Sequence, residues 1–283
     1  MSKEPAQHPH GYSRPLQYAA VIRAYEHTPL LEEVVVNLRR QTAPPQSIII
    51  VDSSQDPNTR RHFGGLADLV VQYTDSEFNF SKAVNIGVAA HNLPLTLIVS
   101  SHVVFRQETL VYESWVEASK QGCEIVFWVS DEKNDCLISR IEIGNFTGRN
   151  GISNSSTLIP SHLIKERPFR EEVFAAEDQE FTRYYLRRFR RPILRIDTKA
   201  IEYLNPNHGG TGWNETKLIN EELAIGHFVN RRLIMPDRIL ARFLRGILAI
   251  IRNRPNRARV HFGVAKAFLL ANFKPPKRKS RYF

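Results

Sequence analysis

Glu177 and Asp178 stand side by side at the start of a helical segment spanning residues 176–189. A carboxylate so placed can take the proton of a hydroxyl as that hydroxyl attacks an electrophile. The same pair can instead do no more than favour the helix N-terminus, where the backbone dipole stabilises negative charge. Three further polar groups follow apolar runs: residues 23–26, Asp52-Ser53-Ser54 and Ser100-Ser101-His102. Asp52 can accept hydrogen bonds from a nucleobase or a ribose, although Asp also opens turns for purely local reasons. His102 can ligate a metal or bond an anion.

The elements that must position these groups are legible as apolar runs. Tyr18-Ala-Ala-Val-Ile-Arg-Ala24, Ser47-Ile-Ile-Ile-Val-Asp52, Leu69-Val-Val-Gln-Tyr73 and Leu95-Thr-Leu-Ile-Val-Ser100 predict four strands. Helical segments intervene: residues 30–38 behind the Thr28-Pro29 start signal, a short helix capped at Asp56-Pro57, and residues 81–91. This alternation predicts right-handed crossovers and an α/β fold with a mostly parallel sheet. Ligands of such sheets bind outside the carboxyl ends of the strands, where the three polar groups lie. Neither GxGxxG nor GxxxxGK[ST] follows the first strand, which argues against dinucleotide and P-loop binding. Downstream, residues 107–121 read as a helix, 124–129 and 138–143 as strands joined by a polar turn at 130–135, and 192–196 and 200–204 as short strands.

Residues 21–25 (Val-Ile-Arg-Ala-Tyr), 48–53 (Ile-Ile-Ile-Val-Asp-Ser), 78–87 (Phe-Asn-Phe-Ser-Lys-Ala-Val-Asn-Ile-Gly) and 176–181 (Ala-Glu-Asp-Gln-Glu-Phe) together resemble the ordered landmarks of family 2 glycosyltransferases, over roughly residues 18–205. That resemblance implies a GT-A (Rossmann-like) fold, a nucleoside-diphosphate sugar donor and single-displacement transfer with inversion at the anomeric carbon. It sets Arg23, Tyr25 and Asp52 around the nucleotide, and Lys82 and Asn85 toward the donor's diphosphate or sugar, with Ser100 and Ser101 alongside. Lys82 offers phosphate a point charge; the alternative is a solvated helix residue. The resemblance favours Asp178 as the catalytic base, with Glu177 orienting its surroundings.

The family carries Asp-x-Asp after the fourth strand, whose carboxylate holds Mg²⁺ or Mn²⁺ on the donor phosphates. This chain has Ser100-Ser101-His102 there. His102 can supply an imidazole ligand to a divalent metal, Mn²⁺ more readily than Mg²⁺, with His208 of the loop after the last strand completing the site; it can instead contact phosphate directly or be structural. The resemblance implies an acceptor-side role for Asn154 and Ser155, although clustered Ser, Asn and Gly also describe an ordinary loop. Trp128 and Trp213 can stack on a sugar or fill the core.

The chain's net charge of +10 is uneven: from Arg231 onward there are 15 Lys/Arg against one acid, Asp237, which leaves residues 1–230 slightly acidic. The expected organisation is a flexible segment 1–17, a GT-A domain 18–235 and a basic amphipathic helical tail 236–283. In the tail, residues 238–252 put Leu240, Phe243, Leu244, Ile247, Leu248 and Ile251 on one helical face, and 259–273 form a second basic amphipathic stretch. Such a face suits an anionic membrane surface, and equally suits packing on the domain. The basic Lys277-Arg-Lys-Ser-Arg281 end favours the membrane. Two cysteines, Cys123 and Cys136, with no secretory leader and no apolar run long enough to span a bilayer, predict a cytoplasmic protein, peripheral at the inner face of the cell membrane.

The sequence thus predicts an inverting glycosyltransferase acting on a sugar or lipid-linked hydroxyl acceptor, in cell-surface polysaccharide or glycolipid synthesis. Its rivals are a non-catalytic sugar-nucleotide-binding or assembly protein of the same fold, and a basic nucleic-acid-binding protein, for which no motif is present.

Overall fold

A computed structural model describes residues 16–204, 215–274 and 276. The predicted first strand is β1 (Tyr18–Ala24), every residue of it buried except Arg23. It pairs in parallel with β2 (Ser47–Asp52) and β4 (Leu95–Ser100), and β2 pairs in parallel with β3 (Leu69–Gln72). Helices α1 (Pro29–Arg39), α2 (Pro57–Leu66) and α3 (Phe80–Ala89) make the crossovers. Their starts are chemically marked. Thr28 accepts a bond from Leu31 N, Asp56 from Asn58 and Thr59 N, and Asn79 from Lys82 N, which satisfies otherwise orphaned donors.

Beyond β4 come β5 (Val103–Phe105), α4 (Leu110–Lys120), β6 (Val126–Ser130), β7 (Leu137–Ile141), β8 (Ser156–Pro160), α5 (Ser161–Glu166), α6 (Glu177–Phe189), β9 (Ile193–Thr198) and β10 (Ile201–Tyr203). The eight-stranded sheet runs β3-β2-β1-β4-β8-β6-β9-β7, and β5 pairs with β10 in a separate two-stranded sheet. The pairings β4–β8, β6–β8 and β7–β9 are antiparallel and β6–β9 is parallel, so the sheet is mixed. The predicted polar connection between β6 and β7 does not close a hairpin. β9, with Ile193, Leu194 and Ile196 buried, inserts between them and leaves the largely exposed β7 at the edge. Central positions go to strands buried on both faces.

The chain then forms α7 (Glu215–Ala224), a π turn (Ile225–Val229), a 3-10 turn (Arg231–Ile234), α8 (Pro236–Ile251) and α9 (Pro255–Phe273). α9 is not amphipathic as expected: its apolar residues surround the axis. Val264, Ala267 and Phe268 join Leu223, Ala224, Ile234, Phe174 and Ala175 in one buried cluster that straddles residue 235. His208, Trp213 and residues 277–281 lie outside the described residues. No helix among the described residues is long and apolar enough to cross a membrane.

Candidate active site

The last rung of the β1–β4 ladder brings Arg23 beside Ser100. Arg23 Nη2 donates to Ser100 Oγ at 3.1 Å and to the carbonyl of Asn154 at 2.8 Å, with the guanidinium 5.0 Å from the centre of the Phe80 ring. Burial lowers the pKa of Arg23, while the nearby charges of Glu177 and Asp178 act to raise it. Its Nε and Nη1 are buried without a hydrogen-bond partner, as is Oδ1 of Asn154. Buried polar atoms are seldom left so, and an unmet group of this kind is a place for water or ligand.

Asn154 ties this cation to the carboxylates. Its side-chain Nδ2 donates to Glu177 Oε1 at 2.8 Å, and its backbone N–H points to Asp178 Oδ2 at 3.5 Å. Ala176, immediately before the pair, has φ +59°, a left-handed conformation that costs a residue with a Cβ on the order of 1–2 kcal/mol. Such strain persists where the surroundings over-determine the backbone. Glu177 is buried and Asp178 half-buried. Burial, with the charge of Glu177 adding to it, pushes the Asp178 carboxyl up to about 7. Burial also raises Glu177, against the opposing pull of its backbone bond, Arg23 and Asn154. Like charges this close titrate as a pair, which retains a proton near neutrality.

Residues 78–87, expected to face the donor through Lys82 and Asn85, also fasten a neighbouring segment. Asn79 Nδ2 donates to the carbonyl of Glu171 at 2.7 Å and Ser81 Oγ to that of Arg170 at 2.9 Å. Asn85 donates to the carbonyl of Phe169 at 2.8 Å and accepts from its N–H at 2.9 Å. Three polar side chains of α3 and its N-cap thus fasten the segment leading to Glu177. The amide of Asn85 is committed to that backbone, and Lys82 pairs with Asp75 after β3. Gly87 lets α3 approach β1: a Cβ there would stand 2.3 Å from Val21 Cγ1.

The remaining predicted residues are spread along the same sheet end. Asp52 is fully buried, accepting from Ser54 N at 2.8 Å and from Arg60 Nε at 3.2 Å, so its oxygens already serve the turn after β2. Tyr25 is exposed. Ser100 Oγ donates to Ser155 Oγ at 3.1 Å, joining Ser155 to the cluster. Ser101 and His102 form the turn into β5, and the His102 carbonyl accepts from Leu204 N at 2.9 Å. Trp128 is fully buried and donates to Ser114 Oγ at 2.9 Å, which makes it core and not a sugar platform.

Sequence reasoning missed four neighbours. Gln179 accepts from Gly151 N at 2.8 Å and donates to the Ile152 carbonyl at 3.0 Å, while Thr182 accepts from Ile152 N at 3.0 Å. They pin the loop carrying Asn154 to α6, and a Cβ on Gly151 would meet Thr182 Oγ1 at 2.4 Å. Tyr203 bonds Ser156 Oγ at 2.8 Å and feels the charge of Asp178. Glu221 of α7 has its carboxyl raised chiefly by burial, with Glu177 contributing. Tyr203 was findable as the polar end of a predicted short strand; Glu221 carried no signal.

The described residues do not fit a divalent cation. Ser100 and Ser101 bring no carboxylate, the Ser100 hydroxyl accepts from a guanidinium that would repel a cation, and no three His, Cys, Asp or Glu among the described residues come together as ligands.

No protein-family model matches the sequence, and no curated protein matches it. Solved structures do resemble it. The mannosyltransferase PcManGT from Pyrobaculum calidifontis, in complex with GDP-Man and Mn²⁺, superposes with TM-score 0.57 at 14% identity, over 92% of this chain and 76% of that one. S. aureus TarS 1–349 in complex with UDP-GlcNAc gives TM-score 0.51 at 15% identity, over 93% of each chain. At such identity the likeness is one of fold, and the fold is GT-A: a mixed, largely parallel sheet flanked by helices.

Proposed function

We propose that this protein is an inverting glycosyltransferase of the family 2 kind, moving a hexose from a nucleoside-diphosphate sugar to a hydroxyl. The observation that carries the reading is the carboxylate pair at the start of α6. Asp178 is half-buried with a carboxyl near pH 7, and Glu177 is buried behind it on Asn154. A base poised at working pH is what proton abstraction from a hydroxyl requires. The GT-A fold, with the pair at the carboxyl-end side of the sheet beside Arg23 and Ser100, is consistent with donor binding there.

In this reading the acceptor oxygen forms its bond to the anomeric carbon from the face opposite the diphosphate, passing its proton to Asp178. The bond from that carbon to the phosphate oxygen breaks, and its electron pair leaves with the nucleoside diphosphate. The buried charge of Arg23 favours the anionic state of the site. No step of this reading depends on a metal, which the described residues do not fit. The acceptor is a sugar or lipid-linked hydroxyl of a polysaccharide or glycolipid pathway, reached from the cytoplasmic side.

The test is a thermal-shift screen against UDP-, GDP- and dTDP-sugars, followed by an assay of nucleoside diphosphate release with and without acceptor. Stabilisation by one donor class and acceptor-dependent release are expected. No shift with any donor and no release with any hydroxyl acceptor would overturn the proposal.

A further inference from the structure

α8 is built inside out. Its only buried residues are the small Gly246 and Ala249, and Gly246 is where the Phe262 ring of α9 lies close enough to meet an added Cβ at 2.6 Å. Arg242, on the inward side, pairs with Glu222 of α7. The large apolar residues Leu240, Phe243, Leu244, Ile247, Leu248 and Ile251 are all exposed, Ile251 to 75%. At 100° per residue these six fall on one strip along a helix of 16 residues, about 24 Å long. Phe273, at the end of α9, is 82% exposed. A surface helix ordinarily turns such a strip to its own core, and an apolar surface of this extent marks a site of interaction.

What surrounds the strip identifies its occupant. Residues 231–274 contain 11 Lys/Arg and a single acid, Asp237. Arg238 and Arg245 on α8, Arg252 and Arg254 in the turn, and Arg257 at the start of α9 are exposed. A second copy would bring an equally cationic surround against this one, with like charges opposed. A convex helix with an aliphatic strip and a cationic border matches an anionic bilayer: the strip enters the acyl boundary, and guanidiniums meet headgroup phosphates and carboxylates.

We infer that α8 is an interfacial helix that docks this protein, apolar strip first, on an anionic membrane surface. Docking of this kind is independent of the sugar chemistry, so its test needs no donor.

The full chain is sedimented with vesicles of phosphatidylcholine alone and of phosphatidylcholine mixed with phosphatidylserine. Binding to the mixed vesicles is expected to be at least about tenfold tighter and to weaken with salt. Leu244→Glu with Ile251→Glu should reduce it at least about tenfold at unchanged melting temperature, because both side chains are already in water. Arg252→Gln with Arg254→Gln should lower binding to the mixed vesicles alone. Equal affinity for both vesicle types, failure to bind either, wild-type binding by the Glu variant, or a stable solution dimer that the Glu variant splits would each overturn the inference.

Discussion

Arg23 Nη2 lies 3.1 Å from Ser100 Oγ, so a fixed cation occupies the neighbourhood in which the resemblance places metal-holding carboxylates. Transfer is therefore expected to survive chelation, with rates in EDTA within roughly a factor of two of those in Mn²⁺. Arg23→Met should move the rising limb of the pH–rate profile to higher pH, because removing a cation beside Glu177 and Asp178 favours their protonated forms. A profile unmoved by Arg23→Met, or activity abolished by EDTA, would contradict this arrangement.

The carboxyl of Asp178 is pushed up to about 7. A base acts deprotonated, so kcat/KM should rise with pH through an inflection near 7, and Asp178→Asn should lower turnover by roughly 10²–10⁴-fold while nucleoside diphosphate still binds. The stability consequence has the opposite direction. A carboxyl raised in the folded state stabilises the fold below the ordinary Asp range and forfeits that contribution as pH rises to 7. Asp178→Asn should accordingly melt higher than the wild type at pH 8 and lose that advantage at pH 4.

Asn154→Ala removes the 2.8 Å bond to Glu177. Bonds to charged groups contribute about 1.5–3 kcal/mol, so kcat should fall about 10–100-fold with little change in donor KM. A KM effect without a kcat effect would make Asn154 a donor contact and not a positioning residue.

Gly87→Ala puts a methyl 2.3 Å from Val21 Cγ1 and 3.1 Å from Val51 Cγ2, so helix or strand must give way. Overpacking of this kind costs typically 1–3 kcal/mol, which a melting curve will register as a fall of several degrees. Unchanged melting would show that α3 can slide away from β1.

The parallel half of the fold was readable because each of its strands is a continuous apolar run, and the Glu177-Asp178 pair because acids open α6. β8 was not: Ser156 and Thr157 look like loop residues, yet Ser156 Oγ donates to the Trp128 carbonyl and Thr157 Oγ1 to that of Ser153, which lets both be buried. The resemblance set Asn85 toward the donor, and its bond to the Phe169 carbonyl, 84 residues away, is one that nothing local announces. Periodicity likewise revealed the apolar strip of α8 but not its direction, since a pattern fixes which residues share a face and tertiary contacts fix where that face points.

Phe174 and Ala175, two residues or fewer from the Ala176 kink, share one buried cluster with Val264, Ala267 and Phe268 of α9. A cut at residue 235 would divide that cluster. A shortened fragment would keep every residue of the reaction centre in sequence and uncover the apolar underside of the loop that aims it, so inactivity in such a fragment would report a lost buttress rather than a lost membrane contact.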